Sequence, residues 1–138
     1  MNCLFCNIVK KEIPAEVIDE DGETLAFLDI NPRAPGHTMV VPKKHYEILS
    51  DVPNEELGSL FRGVKRVAKR ITEALGANGL TIGINQGRAS GQVVEHLHIH
   101  LIPRFTDDGG TSLHSVVHNA PKESLEAIAS KIRGERKK

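Results

Sequence analysis

The chain has no tryptophan, a single tyrosine at Tyr46 and two cysteines among its 138 residues. Without a set of exposed aromatic rings it offers no stacking platform for single-stranded nucleic acid. Lys plus Arg number 18 and Asp plus Glu number 18, so no net field steers the chain toward nucleic acid or an anionic membrane, and any anion site has to be local. No apolar run approaches the roughly 18 residues that a membrane span needs, and no charged segment followed by an apolar one opens the sequence. Neither a membrane partner nor a secretory signal is expected, and the cytoplasm is the expected location. In that reducing compartment Cys3 and Cys6 are not expected to form a structural disulfide, and their C-x-x-C spacing reads as metal or redox chemistry. No internal repeat or low-complexity segment divides the chain. Its length suits one domain, 1–138, with a core of its own and residues 133–138 as a flexible basic tail.

What is present in excess is histidine. His96, His98 and His100 alternate with Leu97, Ile99 and Leu101, so three of the seven histidines fall in one short stretch. In a strand, alternate side chains share a face at about 7 Å spacing, which puts three imidazoles on one side and three aliphatic residues on the other. A helix would place i and i+2 about 200° apart and scatter them. The stretch His96 to Ile102 is therefore expected to be a strand ending at Pro103. Outward polar positions on an ordinary half-buried strand could equally be Thr, Lys or Glu, and that reading gives no reason for histidine three times.

Around this stretch the chain divides readily. Leu4, Ile8 and Lys11 stand at helical spacing, giving a short first helix within residues 3–13, closed by Pro14. Glu16 to Asp19 and Thr24 to Leu28 flank Asp21-Gly22, the signal of a hairpin. Asp29 to Gly36 carries two prolines and a glycine and reads as a loop, followed by a strand Thr38 to Val41 that Pro42 stops. From Glu55 to Leu75 the apolar residues Leu57, Leu60, Phe61, Val64, Val67, Ala68, Ile71 and Leu75 recur every three or four positions. This predicts the main amphipathic helix, with Pro53 in its first turn and Gly76 or Gly79 at its end. Leu80 to Ile84 predicts a strand, Asn85 to Gln92 a polar turn, Thr106 to Gly110 a loop, and Pro121 to Ile132 a last helix. The fold class is α+β: a mostly antiparallel sheet of about five strands, helices on one face and histidines on the other.

Three chemistries fit these residues. The middle histidine, His98, could act as a nucleophile if one ring nitrogen keeps a proton on a fixed acceptor while the other faces an electrophile, and His100 could then contact anionic oxygens or the leaving group. A glycine turn just before the strand can bring backbone N–H groups to a phosphate, with the Gln92 amide beside them, so phosphorus is the natural electrophile. Alternatively Cys3 and Cys6 supply half of a closed Cys2His2 zinc site, completed by His45 and one triad histidine, of which the edge residue His96 leaves His98 free. Thirdly, the triad itself could hold a catalytic zinc with His37 or His45 as a further ligand. His114 and His118 stand at i, i+4 without an acidic or thiol partner and read as surface residues.

The stretch His96 to Ile102 fits the signature His-apolar-His-apolar-His-apolar-apolar, and the likeness extends through Ala26 to Ile30, Gly36 to His45 and Asn85 to Gln92. In these motifs the chain resembles the histidine triad (HIT) family, similar to the histidine triad nucleotide-binding proteins and the fragile histidine triad hydrolases. The more distant galactose-1-phosphate uridylyltransferases carry Gln at the third triad position, which here is His100. The resemblance implies a homodimer with continuous sheets and a site for a purine nucleoside monophosphate unit. It implies that His98 attacks the α-phosphorus to form a nucleotidyl-histidine that water hydrolyses, with His37 beside the nucleophile. By matched position Asp29 would bind the ribose, and Leu4, Phe5, Ile8, Phe27 and Ile30 would line the base pocket. Asn85, Gly91, Gln92 and His100 would hold the phosphate, and Cys3, Cys6, His45 and His96 would bind a structural zinc ion. Where some members carry a hydroxyl residue after the loop glutamine this chain has Val93, which removes one side-chain bond to the phosphate or leaving group.

The expected function is thus hydrolysis or nucleotidyl transfer at the α-phosphate of phosphoramidates, adenylates or dinucleoside polyphosphates. Against it stand a catalytic-zinc hydrolase and a nucleotide-binding regulatory module with little turnover.

Overall fold

In a computed structural model that describes residues 2–135, the chain divides into two compact units, Met1–Asp108 and Gly109–Lys138. The first holds helices α1 (Leu4–Val9) and α2 (Asn54–Leu75) and strands β1 (Val17–Glu20), β2 (Thr24–Leu28), β3 (Thr38–Pro42), β4 (Gly79–Gly83) and β5 (Ile99–Arg104). The five strands form one sheet in the order β1-β2-β3-β5-β4, with every neighbouring pair antiparallel.

Local chemistry explains most of these boundaries. At the β1–β2 turn the Asp21 carboxylate accepts from the N–H groups of Glu23 and Thr24, both at 2.8 Å, so the acid serves as the turn. Pro53 sits at the N-cap of α2 rather than inside its first turn, and Gly76 ends the helix with φ at 62°. The expected apolar stripe on α2 is narrower than its sequence period. Leu60, Val64, Val67 and Ile71 are buried against Ala26, Val40, Leu97, Ile99 and Leu101, whereas Phe61 and Leu75 remain 41% and 45% exposed.

Helix α1 is shorter than expected and lies elsewhere. It stops at Val9 because Lys11 turns left-handed at φ 67° and the N–H groups of Glu12 and Ile13 return to the Asn7 carbonyl. The expectation of helices on one face and histidines on the other holds for α2 only. Phe5 and Ile8 of α1 pack with Leu25, Phe27, Met39 and Val41 in a second apolar cluster, and the Phe5 ring meets those of His96 and His98 edge-on.

The histidine strand also starts later and ends later than expected, at Ile99 and Arg104. The Leu97 N–H bonds the Tyr46 carbonyl, at 2.6 Å, in place of a ladder partner, so His96 and His98 precede the strand and only His100 lies in it. Pro103 continues the strand because the β3 ladder has already ended at Thr38 opposite Leu101, leaving no bond required on that side.

The second unit holds a short 3-10 turn, Leu113–Ser115, and helix α3, Leu125–Arg133. The helix begins after Pro121 because Ser124 provides the cap, its hydroxyl accepting from the Ala127 N–H at 3.1 Å. His114 and His118 are exposed. Of the expected tail, Arg133 belongs to α3 and residues 136–138 lie outside the described residues.

Candidate functional site

The three triad histidines do three different things, and their hydrogen bonds fix which ring nitrogen carries a proton. A carbonyl oxygen can only accept, so each imidazole nitrogen facing one must be the protonated nitrogen. His96 donates from Nε2 to the Pro42 carbonyl at 2.8 Å, which leaves its Nδ1 as a lone pair. His98 donates from Nδ1 to the carbonyl of His96 at 2.8 Å, which leaves its Nε2 as the free base. Both rings are buried.

His100 is fixed through His37. The Arg33 N–H donates to His37 Nδ1 at 3.1 Å, so neutral His37 carries its proton on Nε2 and donates it to His100 Nδ1 at 3.0 Å. His100 then keeps its own proton on Nε2. Burial holds both groups neutral: it pushes His37 below its ordinary range, against the pull of the Asp29 carboxylate, and it lowers His100 to about 4 with help from His98 and His37. Asp29 Oδ2 lies 3.6 Å from His37 Nε2, while its Oδ1 accepts from the Asn31 N–H at 2.8 Å. His37 therefore stands beside His100.

The donor atoms of Cys3, Cys6, His45 and His96 all lie within 4.8 Å of one another, a set that could hold a metal ion. The neighbouring distances are 3.5 Å from Cys3 Sγ to His96 Nδ1, 3.3 Å from Cys6 Sγ to His45 Nδ1, 3.5 Å from Cys6 Sγ to His96 Nδ1, and 3.2 Å between the two Nδ1 atoms. The lone pair of His96 points into this group. Burial and the adjoining Cys3 thiol raise the Cys6 pKa, a penalty on the thiolate that a bound cation would reverse. Asp29, His37 and His100 form a second cluster of ligand-type residues within the same limit. There the Arg33 N–H occupies one nitrogen of His37 and a proton the other, so the cluster suits a hydrogen-bond relay better than a cation.

The remaining expected residues divide. Phe5, Ile8 and Phe27 are buried, with the Phe5 and Phe27 rings 5.4 Å apart, whereas Leu4 is 45% and Ile30 88% exposed. Loop 29–37 lines an open cavity of about 460 Å³, bounded by Leu28, Asp29, Pro32, Arg33, Gly36 and His37. Asn85 and Gly91 are exposed beside the triad segment. Gln92 does not present a free amide: its Oε1 accepts from the Gly87 N–H at 2.8 Å, and its Nε2 donates to the Glu47 and Val94 carbonyls at 2.8 and 3.1 Å. The N–H groups of Ser90, Gly91 and Gln92 also bond within the turn. The turn thus holds its own shape before any anion arrives.

Sequence reasoning missed the groups that set the tautomers, namely the N–H of Arg33 and the carbonyls of Pro42 and His96. These are backbone atoms, which carry no residue signature.

Comparison with known proteins shows the family and the fold. Residues 10–107 match the family described as the HIT domain. An uncharacterized HIT-like protein of Methanocaldococcus jannaschii is 46% identical over 132 residues, covering 96% of this chain and 99% of its own length. An adenosine 5'-monophosphoramidase of Schizosaccharomyces pombe is 33% identical over 132 residues, 96% of each chain. The solved structure of a HIT family member from Bacillus subtilis superposes with a TM-score of 0.86 at 35% identity, covering 100% of this chain and 99% of that one.

Proposed function

The chain belongs to the HIT domain family, and on that premise we propose that it cleaves nucleoside 5'-phosphoryl compounds at the α-phosphorus through a covalent nucleotidyl-histidine on His98. The observation that carries the reading is the bond from His98 Nδ1 to the His96 carbonyl, which leaves the Nε2 lone pair free. In the first step Nε2 forms a bond to phosphorus and the bond to the leaving group breaks, while His100 Nε2–H hydrogen-bonds to that group and the proton it needs comes from solvent water. In the second step water attacks phosphorus, its proton passes to solvent, and the P–N bond breaks to release the nucleoside monophosphate and neutral His98.

The cavity of loop 29–37, about 460 Å³ and walled in part by Asp29, would admit the ribose side of the nucleoside. Asp29 would accept from the ribose hydroxyls there, and Leu4, Phe5, Ile8, Phe27 and Ile30 would form the base side. Asn85 and His100 would contact the phosphate, with Gln92 and Gly91, whose N–H bonds the Arg88 carbonyl, holding the turn. The S. pombe relative's activity favours a phosphoramidate, acting on a purine nucleotide, over the other candidates.

Cys3, Cys6, His45 and His96 would hold a structural zinc ion. Tetrahedral zinc with sulfur and nitrogen ligands has edges of about 3.3–3.8 Å, and the donor separations of 3.2–3.5 Å come close to that frame before any ion is added. Zinc there would tie α1 to the triad segment. The alternative of a catalytic zinc on the triad is disfavoured, because His96 turns its lone pair to the thiols and His37 has none left on Nε2.

We also propose a cytoplasmic homodimer, 1–138 acting as one functional domain. The outer edge of β4 has no strand beside it among the described residues, and Ile82 on that strand is 45% exposed. Light scattering tests the dimer. The catalytic reading is tested with His98→Ala, which should bind nucleoside monophosphate normally and lose turnover. Wild-type turnover in that variant would remove His98 as nucleophile.

A further inference from the structure

The peptide that carries the free base of His98 has no sheet partner, since β5 begins only at Ile99. Its support comes from residues 42–49, which run alongside residues 86–97. The Pro42 carbonyl accepts from His96 Nε2 at 2.8 Å and the Tyr46 carbonyl accepts from the Leu97 N–H at 2.6 Å. The Glu47 carbonyl accepts from Gln92 Nε2 at 2.8 Å, and the Leu49 N–H donates to Gln86 Oε1 at 3.1 Å. This supporting segment is itself irregular from Lys43 to Ile48. Something has to hold it in place.

The tie to α2 is polar. The Tyr46 hydroxyl donates to Glu56 Oε2 at 2.7 Å, and Lys44 Nζ stands 3.2 Å from Glu56 Oε1. Glu56 lies in the first turn of α2, which is anchored to the sheet through the main core. The same tyrosine packs its half-buried ring against that core, so one residue grips the helix with its side chain and the histidine segment with its carbonyl.

We propose that Tyr46 is a positioning residue for the phosphoryl-transfer step: its hydroxyl, held by Glu56, sets the Tyr46 carbonyl against Leu97 and thereby the aim of His98. Tyr46 touches neither substrate nor the reacting atoms. The proposal rests on the reading of His98 as nucleophile. A nucleophile displaced by a fraction of an ångström loses rate while the residues that would bind the nucleotide, Asp29 among them, keep their places and the affinity is retained.

The test is Tyr46→Phe in the full-length, metal-loaded protein, with a nucleoside phosphoramidate as probe. The ring and the backbone carbonyl remain and only the hydroxyl goes. The expected result is a kcat lowered about tenfold with KM within about twofold, at unchanged metal content, together with faster hydrogen exchange of the Leu97 amide. Glu56→Gln keeps an acceptor for the hydroxyl and should retain most of the rate. Glu56→Ala should match Tyr46→Phe, and the two together should be no worse than either alone. A wild-type kcat in Tyr46→Phe, additive losses in the double variant, or a loss that follows released metal would each overturn the proposal. If His98→Ala still turns over, the nucleophile reading fails. A dead His98→Ala beside an unaffected Tyr46→Phe removes only the positioning role.

Discussion

His37 Nε2 lies 3.0 Å from His100 Nδ1, and this contact settles the proton inventory of the site. Because the Arg33 N–H already occupies the other nitrogen of His37, the shared proton belongs to His37 and His100 is left with a proton on Nε2. Removing the donor in His37→Ala frees His100 to take the other tautomer. Turnover of a nucleoside phosphoramidate should fall about 10–100-fold with KM little changed. His37→Gln retains an N–H near His100 and should recover part of that loss; steady-state kinetics on both variants check the assignment.

Acid should destabilise the fold through the same pair. Burial depresses His37 and lowers His100 to about 4, below the ordinary value of 6.5. Between those values the unfolded chain binds protons that the folded chain refuses, so stability rises with pH across the window and falls on acidification. The melting temperature should drop as pH goes from 6.5 toward 4, and His37→Gln/His100→Gln should flatten that slope. Glu20, held down to about 2 by Lys43 and Lys11, acts in a lower window and loses its contribution only below the ordinary carboxylate range. A slope that is the same in both proteins would contradict the assignment.

Metal removal separates structure from chemistry. Structural zinc in small domains contributes roughly 10–16 kcal/mol of apparent binding energy, so a chelator should lower the melting temperature before it affects the rate at room temperature. Immediate loss of turnover with an intact circular dichroism spectrum, restored by zinc, would support a catalytic ion instead.

Gly36→Ala should be costly although the substitution is small. Gly36 has φ at 84°, and an added methyl would overlap Leu75 Cδ1 and stand 3.3 Å from Pro103 Cγ. The left-handed backbone alone costs about 1–2 kcal/mol for a residue with a Cβ, before the steric overlap. Chemical denaturation should show at least that loss, and because Gly36 precedes His37, turnover should fall with it.

Much of this was legible in the sequence for physical reasons that differ element by element. The long period from Leu57 to Leu75 gave α2 because a helix of that length leaves a repeated apolar stripe, and Asp21-Gly22 gave the hairpin because an aspartate can cap its own turn. The alternation His96 to Leu101 correctly put Leu97, Ile99 and Leu101 in the core but overstated the strand, since alternation continues in extended chain that has no ladder partner. The placement of α1 on the histidine face was not readable, because which face of a sheet a short helix covers depends on apolar area elsewhere, here Leu25, Phe27, Met39 and Val41. The neighbourhood of Gln92 suggests a phosphate donor, but its amide is engaged by the carbonyls of Glu47 and Val94. Separate roles for the three triad histidines are legible in the sequence, but which ring nitrogen of each carries the proton depends on backbone carbonyls and on His37, which residue types alone do not reveal.

Covalent catalysis requires that His98 Nε2 form a bond to phosphorus. Rapid quenching of the protein with a nucleoside phosphoramidate, followed by mass analysis under conditions that preserve acid-labile P–N bonds, tests it directly. The expected result is a mass increase of one nucleoside monophosphate unit, located on the peptide bearing His98 and absent in His98→Ala. Turnover with no such adduct at any quench time, or an adduct on another residue, would contradict it.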